Sequence, residues 1–182
     1  MYSASGTTLA AGASRGLQLV TNAGGVIRAL PASGTACFAA RWWNASTIVA
    51  SCASAGVNRL WLVPAGGGRA RALTPERGET DGDLGDLDAW SLPSGLYLQS
   101  AGPCGVLQIF RQRANGSITL VTVPHSSNNN RLLTADGSAL LVESPNGCGA
   151  GANLLWFNPG TRHVTTLFSA GVVAAVPYGD PS

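Results

Sequence analysis

A five-residue apolar segment recurs four times along this chain at nearly constant spacing. Its second residue is leucine in every copy, and successive leucines stand 43, 47 and 47 residues apart, at Leu17, Leu60, Leu107 and Leu154. A turn rich in glycine or asparagine follows each copy, and these residues accept the positive φ angles that tight hairpins require. A further apolar strand follows each turn. Repeats of this length, built from short strands, are typical of β-propeller blades.

Each complete repeat contains four strands. One strand precedes the apolar segment in every copy, at residues 8–11, 47–51, 96–99 and 139–143. Another strand leads the repeat, at residues 38–43, 87–90 and 131–133, with residues 172–176 as a fourth leading strand at the C-terminal end. The first repeat has no leading strand of its own. The C-terminal strand would therefore close a ring and remove its free sheet edges.

We therefore predict an all-β fold, a β-propeller of about four blades, each a four-stranded antiparallel sheet. We expect a single domain over residues 1–182, with repeats at approximately 1–33, 34–75, 76–124 and 125–182. The propeller is either a small closed ring or part of a larger one. A β-sandwich with strands about every 8 to 12 residues is the alternative architecture.

Composition excludes several classes of protein. The chain has 182 residues, of which 45% are hydrophobic and 11% charged, and a disordered chain would have the opposite balance. The net charge of +2 indicates no basic face, so we expect no nucleic-acid partner. Apolar runs stay well below about 18 residues, which predicts that no helix spans a membrane. The first ten residues lack the basic and apolar regions of a signal peptide, so none is expected in this chain.

Six of the nine acidic residues fall in one short window, at Glu76, Glu79, Asp81, Asp83, Asp86 and Asp88. Carboxylates on a loop could bind Ca²⁺, and the weak candidate ligands are Asp81, Asp83, Asp86 and Asp88, although their spacing departs from the EF-hand pattern. The favoured interpretation is a solvated loop between blades, and no metal site is predicted. The loop could also orient a basic protein partner through Glu79, Asp81 and Asp83.

Two adjacent tryptophans provide another candidate surface for a partner. Trp42 and Trp43 lie in a predicted strand, where successive side chains point to opposite faces. At most one of the two is therefore exposed. We take Trp42 as the weak candidate for partner binding.

The four cysteines fall into two pairs within the repeat. Cys37 and Cys52 lie symmetrically about the turn at Asn44, so they face each other in a hairpin and predict a disulfide. Cys104 and Cys148 occupy the same loop of successive repeats, which predicts a second disulfide. Two disulfides would indicate an oxidising compartment, whereas four buried thiols in a cytosolic protein is the alternative.

The sequence contains only weak matches to catalytic motifs. Residues 12–16 match G-x-S-x-G, but a nucleophile elbow needs a helix after the serine, and strands are expected on both sides here. The two histidines, His125 and His163, lie in or beside turns and are interpreted as solvated. No phosphate-binding or dinucleotide-binding motif is present. We expect no enzymatic activity, no catalytic residue and no cofactor.

Three segments resemble the repeats of TolB-type propellers. Residues 2–11 are similar to the family signature, in which an apolar residue precedes Ser-Pro-Asp-Gly and an alternating strand, with Ala4 and Ser5 in place of Pro and Asp. Residues 134–137 keep the Asp-Gly pair, and residues 60–74 resemble the end of such a repeat. The resemblance covers essentially the whole chain. The lysine-free, arginine- and alanine-rich composition is most similar to the TolB-like proteins of actinobacteria.

The resemblance implies a part of a longer, exported protein, with Met1 an internal or truncated start. It implies an extracytoplasmic location, either secreted or in the cell envelope, and a non-enzymatic module that binds another protein or an envelope component. No partner-binding residue carries over, because no matching motif is visible. Two alternatives stay open: an enzyme or enzyme accessory domain of the hydrolase or lyase type, and a truncated remnant without independent function.

Overall fold

The computed structural model describes residues 1–13, 16–21, 23, 25–30, 36–54, 56–76, 84–102, 106–127, 129–145 and 151–172. Regular structure in these residues consists of fifteen β-strands, and they contain no helix. Nearly all strand pairs are antiparallel neighbours in the sequence, which confirms the all-β expectation. None of these residues belongs to a helix long and apolar enough to cross a membrane.

The chain divides into two compact units, the first ending at Asp88 and the second beginning at Ala89. The first unit contains one sheet of three strands in the order β1-β2-β3 and another in which β4, β5, β6 and β7 pair successively. These strands are β1 (Thr8–Ala13), β2 (Gly16–Thr21), β3 (Val26–Leu30), β4 (Cys37–Asn44), β5 (Thr47–Ser54), β6 (Val57–Pro64) and β7 (Arg71–Ala72). Strand β8 (Gly85–Leu92) starts in this unit, where Gly85 pairs in parallel with Asn58 of β6.

Strand β8 continues into the second unit, where two antiparallel ladders follow. In one, β9, β10 and β11 pair successively, and the other is a four-stranded sheet in the order β12-β13-β14-β15. These strands are β9 (Gly95–Ala101), β10 (Leu107–Gln112), β11 (Ile118–Leu120), β12 (Arg131–Asp136), β13 (Ala139–Pro145), β14 (Ala152–Asn158) and β15 (His163–Val172). The sheet β12–β15 thus has the four-stranded organisation of a propeller blade.

The four recurring apolar segments form β2, β6, β10 and β14, as predicted. The fourth strands differ more from expectation, because β7 and β11 have only two and three residues. After β7, the amide groups of Leu73 and Thr74 both donate to the carbonyl of Leu60, which interrupts the regular ladder. At the C-terminal end, Val172 pairs with Ala152 as the last residue of β15. The rest of the predicted leading strand, residues 173–176, lies outside the described residues.

The core of the first unit forms around a disulfide. Cys37 of β4 and Cys52 of β5 are opposite each other in the register and are bonded, with their Cα atoms 4.1 Å apart. This confirms the predicted pairing. Apolar side chains from β1, β2, β5 and β6 are buried around it, namely Ala10, Leu17, Leu19, Ile48, Ala50 and Val63. The second predicted pair, Cys104 and Cys148, lies outside the described residues.

The second unit has its own core, to which β8, β9, β10, β12, β13 and β14 all contribute. Its buried members are Trp90, Leu92, Tyr97, Ile109, Val123, Leu132, Leu140, Val142, Leu155 and Phe157. Each of the two units therefore buries an apolar cluster of a size that can stabilise several strands.

Candidate functional site

A groove of about 350 Å³ opens at one end of the β4–β7 sheet, where the β4–β5 and β6–β7 turns lie. We call it the arginine groove, and its lining residues are Trp43, Asn44, Thr47, Leu62, Pro64, Arg69 and Arg71. Its volume is at the lower end of the range of about 300–1,000 Å³ that is usual for ligand pockets.

The two turns that form the groove are joined by a hydrogen bond. The amide of Ala65, just after β6, donates to the carbonyl of Ser46 at 2.8 Å. In the β4–β5 turn, the side-chain oxygen of Asn44 accepts from the backbone amide of Ser46 at 2.9 Å, an Asx-turn. The Ala65–Ser46 hydrogen bond therefore holds the two turns together, and the Asn44–Ser46 bond stabilises the β4–β5 turn itself.

Glycines shape the β6–β7 turn. Gly67 and Gly68 have φ angles of +89° and +112°, in the region that side chains other than glycine rarely adopt. The amide of Gly67 donates to the carbonyl of Pro64 at 3.0 Å, which tightens the turn. The chain then returns along β6, and Arg71 comes to lie opposite Leu62 in the register.

The two adjacent tryptophans take different roles. A register shift in β4 lies between Trp42 and Asn44. Trp42 packs against the core of the first unit, and its indole nitrogen donates to the carbonyl of Met1 at 3.2 Å. Trp43 lines the arginine groove instead. Trp42, the sequence candidate for partner binding, therefore packs on the core, and Trp43 lines the surface groove.

The N-terminal residues are held on the same unit. The Met1 ammonium donates to the carbonyl of Ala10 at 2.6 Å, and its partial burial lowers the pKa of this group because burial disfavours the charged form.

The groove carries positive charge, and no carboxylate of the described residues is paired with it. Arg69 and Arg71 are both exposed. The ion pairs within the described residues are Arg41 with Asp88 at 3.5 Å and Arg131 with Glu143 at 3.8 Å, so neither groove arginine has a salt-bridge partner there. A guanidinium presents five donors in a planar fork that matches a carboxylate or phosphate. The groove can therefore bind an anionic group.

The lining residues do not form a catalytic constellation. Beside the arginines, the groove has an apolar wall of Trp43, Leu62 and Pro64 and the polar side chains of Asn44 and Thr47. The lining residues that the structure describes include no histidine, cysteine or carboxylate.

The acidic window is only partly a loop. Asp86 and Asp88 lie in β8, where Asp86 is 1% exposed and the carboxylate of Asp88 is paired with Arg41. The hydroxyl of Ser51 donates to the backbone carbonyl of Asp86 at 2.7 Å and ties β8 to β5. The four weak candidate ligands for calcium therefore do not share one loop, because Asp86 and Asp88 belong to a packed strand. The other candidates of the window, Glu79, Asp81 and Asp83, lie outside the described residues.

Within the described part of the chain, no group of three or more histidine, cysteine, aspartate or glutamate residues could hold a metal ion. His125 lies in a turn with a φ of +59°, and His163 begins β15 opposite Asn158. Both side chains are exposed, which agrees with the interpretation of solvated histidines.

The G-x-S-x-G motif spans a β-hairpin. Strands β1 and β2 pair with Ala13 opposite Gly16, so a strand follows the motif, as the sequence predicted, and not a helix. The two glycines of the motif are explained by the local structure. A Cβ atom on Gly12 would lie 2.5 Å from the carbonyl oxygen of Cys37, and Gly16 has a φ of +107°. Ser14 itself lies outside the described residues.

Sequence reasoning missed the arginine groove. A signal was present, because three glycines followed by Arg-Ala-Arg place two arginines one residue apart after a tight turn. In an extended chain, such residues share one face. Their proximity to Trp43, more than 20 positions away in the chain, depended on how β4, β5 and β6 pair.

Comparison with known proteins supports the fold. No protein-family model matches the chain, and no curated protein sequence matches it. A puromycin-hydrolysing peptidase from Mycobacterium tuberculosis is 17% identical, with a TM-score of 0.59 over 97% of this chain and 29% of the peptidase. TolB from Acinetobacter baumannii is 16% identical, with a TM-score of 0.57 over 91% of this chain and 42% of TolB.

The chain therefore spans less than half the length of either similar structure. The likeness confirms the predicted β-propeller fold, including its similarity to TolB. At these sequence identities the likeness concerns the fold alone, since one fold hosts many functions.

Proposed function

We propose that this chain is a non-enzymatic β-propeller module that binds another protein or an envelope component outside the cytoplasm. The arginine groove carries the proposal, because it combines an apolar wall with two exposed arginines that have no carboxylate partner in the described part of the chain. Such a surface offers both charge and apolar area to a partner, and arginine and tryptophan are enriched where binding energy concentrates. Among the described lining residues there is no histidine, cysteine or carboxylate, the groups most often used in acid–base catalysis.

Two observations support the extracytoplasmic part of the proposal. The Cys37–Cys52 disulfide is characteristic of oxidising compartments, where such bonds form and persist. The fold is also similar to that of TolB.

Crosslinking in the source organism tests the binding function. The chain would carry an affinity tag, and the envelope fraction would be treated with a short photocrosslinker. The reagent must not depend on reaction with side-chain amines, because the chain has no lysine. We expect one defined crosslinked species that disappears when untagged chain is added in excess. An experiment in which the tagged chain gives no species beyond the tag-only control contradicts the proposal.

The similarity to a peptidase favours a second candidate, a propeller that accompanies a catalytic domain. The likeness covers nearly all of this chain but less than a third of the peptidase. Immunoprecipitation from source cells followed by mass spectrometry separates the candidates. The accessory role would be favoured by two results together. Mass spectrometry would find this chain attached to a catalytic domain in one polypeptide, and the precipitate would have peptidase activity.

A further inference from the structure

We propose that the arginine groove receives an acidic peptide segment of the partner. A carboxylate of that segment binds at Arg69 and Arg71, and an apolar side chain packs on Trp43, Leu62 and Pro64. This inference deepens the proposed binding function and rests on it.

The two arginines of the groove favour an anionic ligand. Arg71 begins β7 and is opposite Leu62 of β6. Arg69 lies two residues before Arg71, in the connection between β6 and β7. Both side chains are exposed, and neither has a carboxylate partner among the described residues. Among these residues, Arg41 and Arg131 each have such a partner, whereas Arg113 and Arg162 are also exposed without one but do not line the groove. Two arginines close together without counter-charges favour an anionic ligand through charge-assisted hydrogen bonds.

The apolar wall distinguishes a peptide from a simple anion. Trp43, Leu62 and Pro64 line the same groove, and because Leu62 is only 7% exposed, the half-buried Trp43 and Pro64 supply most of the accessible apolar area. Inorganic phosphate would use the arginines and leave this wall in water. A peptide with an acidic and an apolar side chain uses both parts, and the indole of a tryptophan offers a large contact area at low entropic cost.

Polar groups are available for the backbone of such a segment. The side-chain oxygen of Asn44 is used inside its turn by Ser46, which leaves the amide N–H groups of Asn44 at the rim. Thr47 lines the groove beside it. These groups can pair with peptide N–H and C=O groups, which must be satisfied when they leave water.

Nucleic acid fits this surface less well. The protein's net charge is only +2, and the groove holds two cations and one aromatic side chain. Binding to a phosphate backbone relies on several cations along the strand and on stacking platforms.

Fluorescence polarisation with labelled peptides tests the inference. The probes are a panel of short peptides with one glutamate and one leucine, separated by increasing numbers of glycines. Matched panels replace the glutamate by glutamine or the leucine by serine. The chain is used whole, as the unmodified protein, as the groove variant Arg69→Ala/Arg71→Ala, and as the control variant Arg113→Ala/Arg162→Ala, which removes two exposed arginines outside the groove.

We expect at least one Glu–Leu peptide to bind the unmodified protein. The groove variant should weaken its binding by about tenfold or more, while the control variant leaves it unchanged. The glutamine and serine panels should both bind more weakly, and added salt should reduce the affinity because exposed charges are screened. Thermal unfolding of both variants checks that they remain folded.

Several results would overturn the inference. These are an absence of binding across the whole Glu–Leu panel, equal binding by the groove variant, or equal binding of the serine panel, which would indicate a site for anions only.

The outcome is distinguishable from failure of the binding function itself. If the crosslinked partner is retained by the groove variant, the groove is not the docking site, although the protein still binds a partner. If no partner is captured but the Glu–Leu peptides bind, the groove chemistry stands and the cellular binding function fails.

Discussion

The side-chain amide of Gln99 donates to the backbone carbonyl of Asn130 at 3.2 Å in the interior of the second unit. The same nitrogen donates to the carbonyl of Gln108 at 2.9 Å, and the side-chain oxygen of Gln99 accepts from the amide of Leu132. One buried side chain, 4% exposed, thus connects β9 to β10 and to the start of β12. Three backbone groups depend on it.

Replacing Gln99 by leucine should destabilise the protein. Leucine has a similar size but leaves these backbone groups without partners, and buried unsatisfied groups are costly. We expect the free energy of unfolding to fall by about 3 kcal/mol in urea titrations. The control is Gln18→Leu in β2, because Gln18 is half-buried and makes no side-chain hydrogen bond among the described residues. A loss no greater than in the control would show that the network contributes little.

Gly12→Ala should destabilise the first unit. The new Cβ would lie 2.5 Å from the carbonyl oxygen of Cys37 and 3.1 Å from the Cα of Phe38, so β1 would have to move away from β4. Overpacking of this kind costs about 1–3 kcal/mol. The measurement is the midpoint of thermal unfolding. The matched control is Gly66→Ala, whose Cβ would meet nothing within 4 Å, and a similar shift in both variants contradicts the proposed close approach.

The serine of the G-x-S-x-G motif should not behave as a nucleophile. A strand follows the motif and no helix begins there, so the geometry of a nucleophile elbow is missing. We expect a fluorophosphonate probe to leave Ser14 unlabelled in the folded protein, as judged by peptide mass spectrometry, with a known serine hydrolase as positive control. Stoichiometric labelling that is lost in Ser14→Ala would revive the hydrolase alternative.

Reduction of the Cys37–Cys52 bond should lower stability. The bond closes a loop with a sequence separation of 15 residues, for which the chain-entropy model gives about 3 kcal/mol. Urea unfolding of the double variant Cys37→Ser/Cys52→Ser, measured without reductant, should show a loss of this order. Equal stability of the variant and the unmodified, oxidised protein would contradict this expectation.

The second predicted disulfide can be tested by peptide mapping. Under non-reducing conditions, we expect a crosslinked peptide containing Cys104 and Cys148, and no free thiol in the denatured protein. The Cys37–Cys52 peptide serves as the internal control, because that bond is present in the structure. Two free thiols at Cys104 and Cys148 would refute the pairing.

Much of the fold could be predicted from local patterns. The recurring segments around Leu17, Leu60, Leu107 and Leu154 became strands with hairpin partners, because alternation and turn residues act over a few positions. Cys37 and Cys52 could be paired for the same reason, since a hairpin centred on its turn places symmetric residues opposite each other. The presence of strands β7 and β11 could be predicted but not their short lengths, and β7 ends where Leu73 and Thr74 share the carbonyl of Leu60.

The candidate site could be predicted less well than the fold from local sequence patterns. The choice between Trp42 and Trp43 depended on which face of β4 covers the core, and alternation alone does not decide that. The structure of the acidic window likewise could not be predicted from local patterns, because it depends on the packing of β8. There Asp88 pairs with Arg41, and the backbone of Asp86 accepts a hydrogen bond from Ser51.

The sequence by itself therefore determined the strands, the hairpins and the Cys37–Cys52 bond, because each depends on residues that are close together along the chain. Only the tertiary structure decided which residues form a surface. The arginine groove joins Trp43 to Arg69 and Arg71 through the pairing of β4, β5, β6 and β7, and Gly12 meets Cys37 where two sheets touch. Such contacts follow from the packing of distant segments, which local propensity and periodicity do not encode.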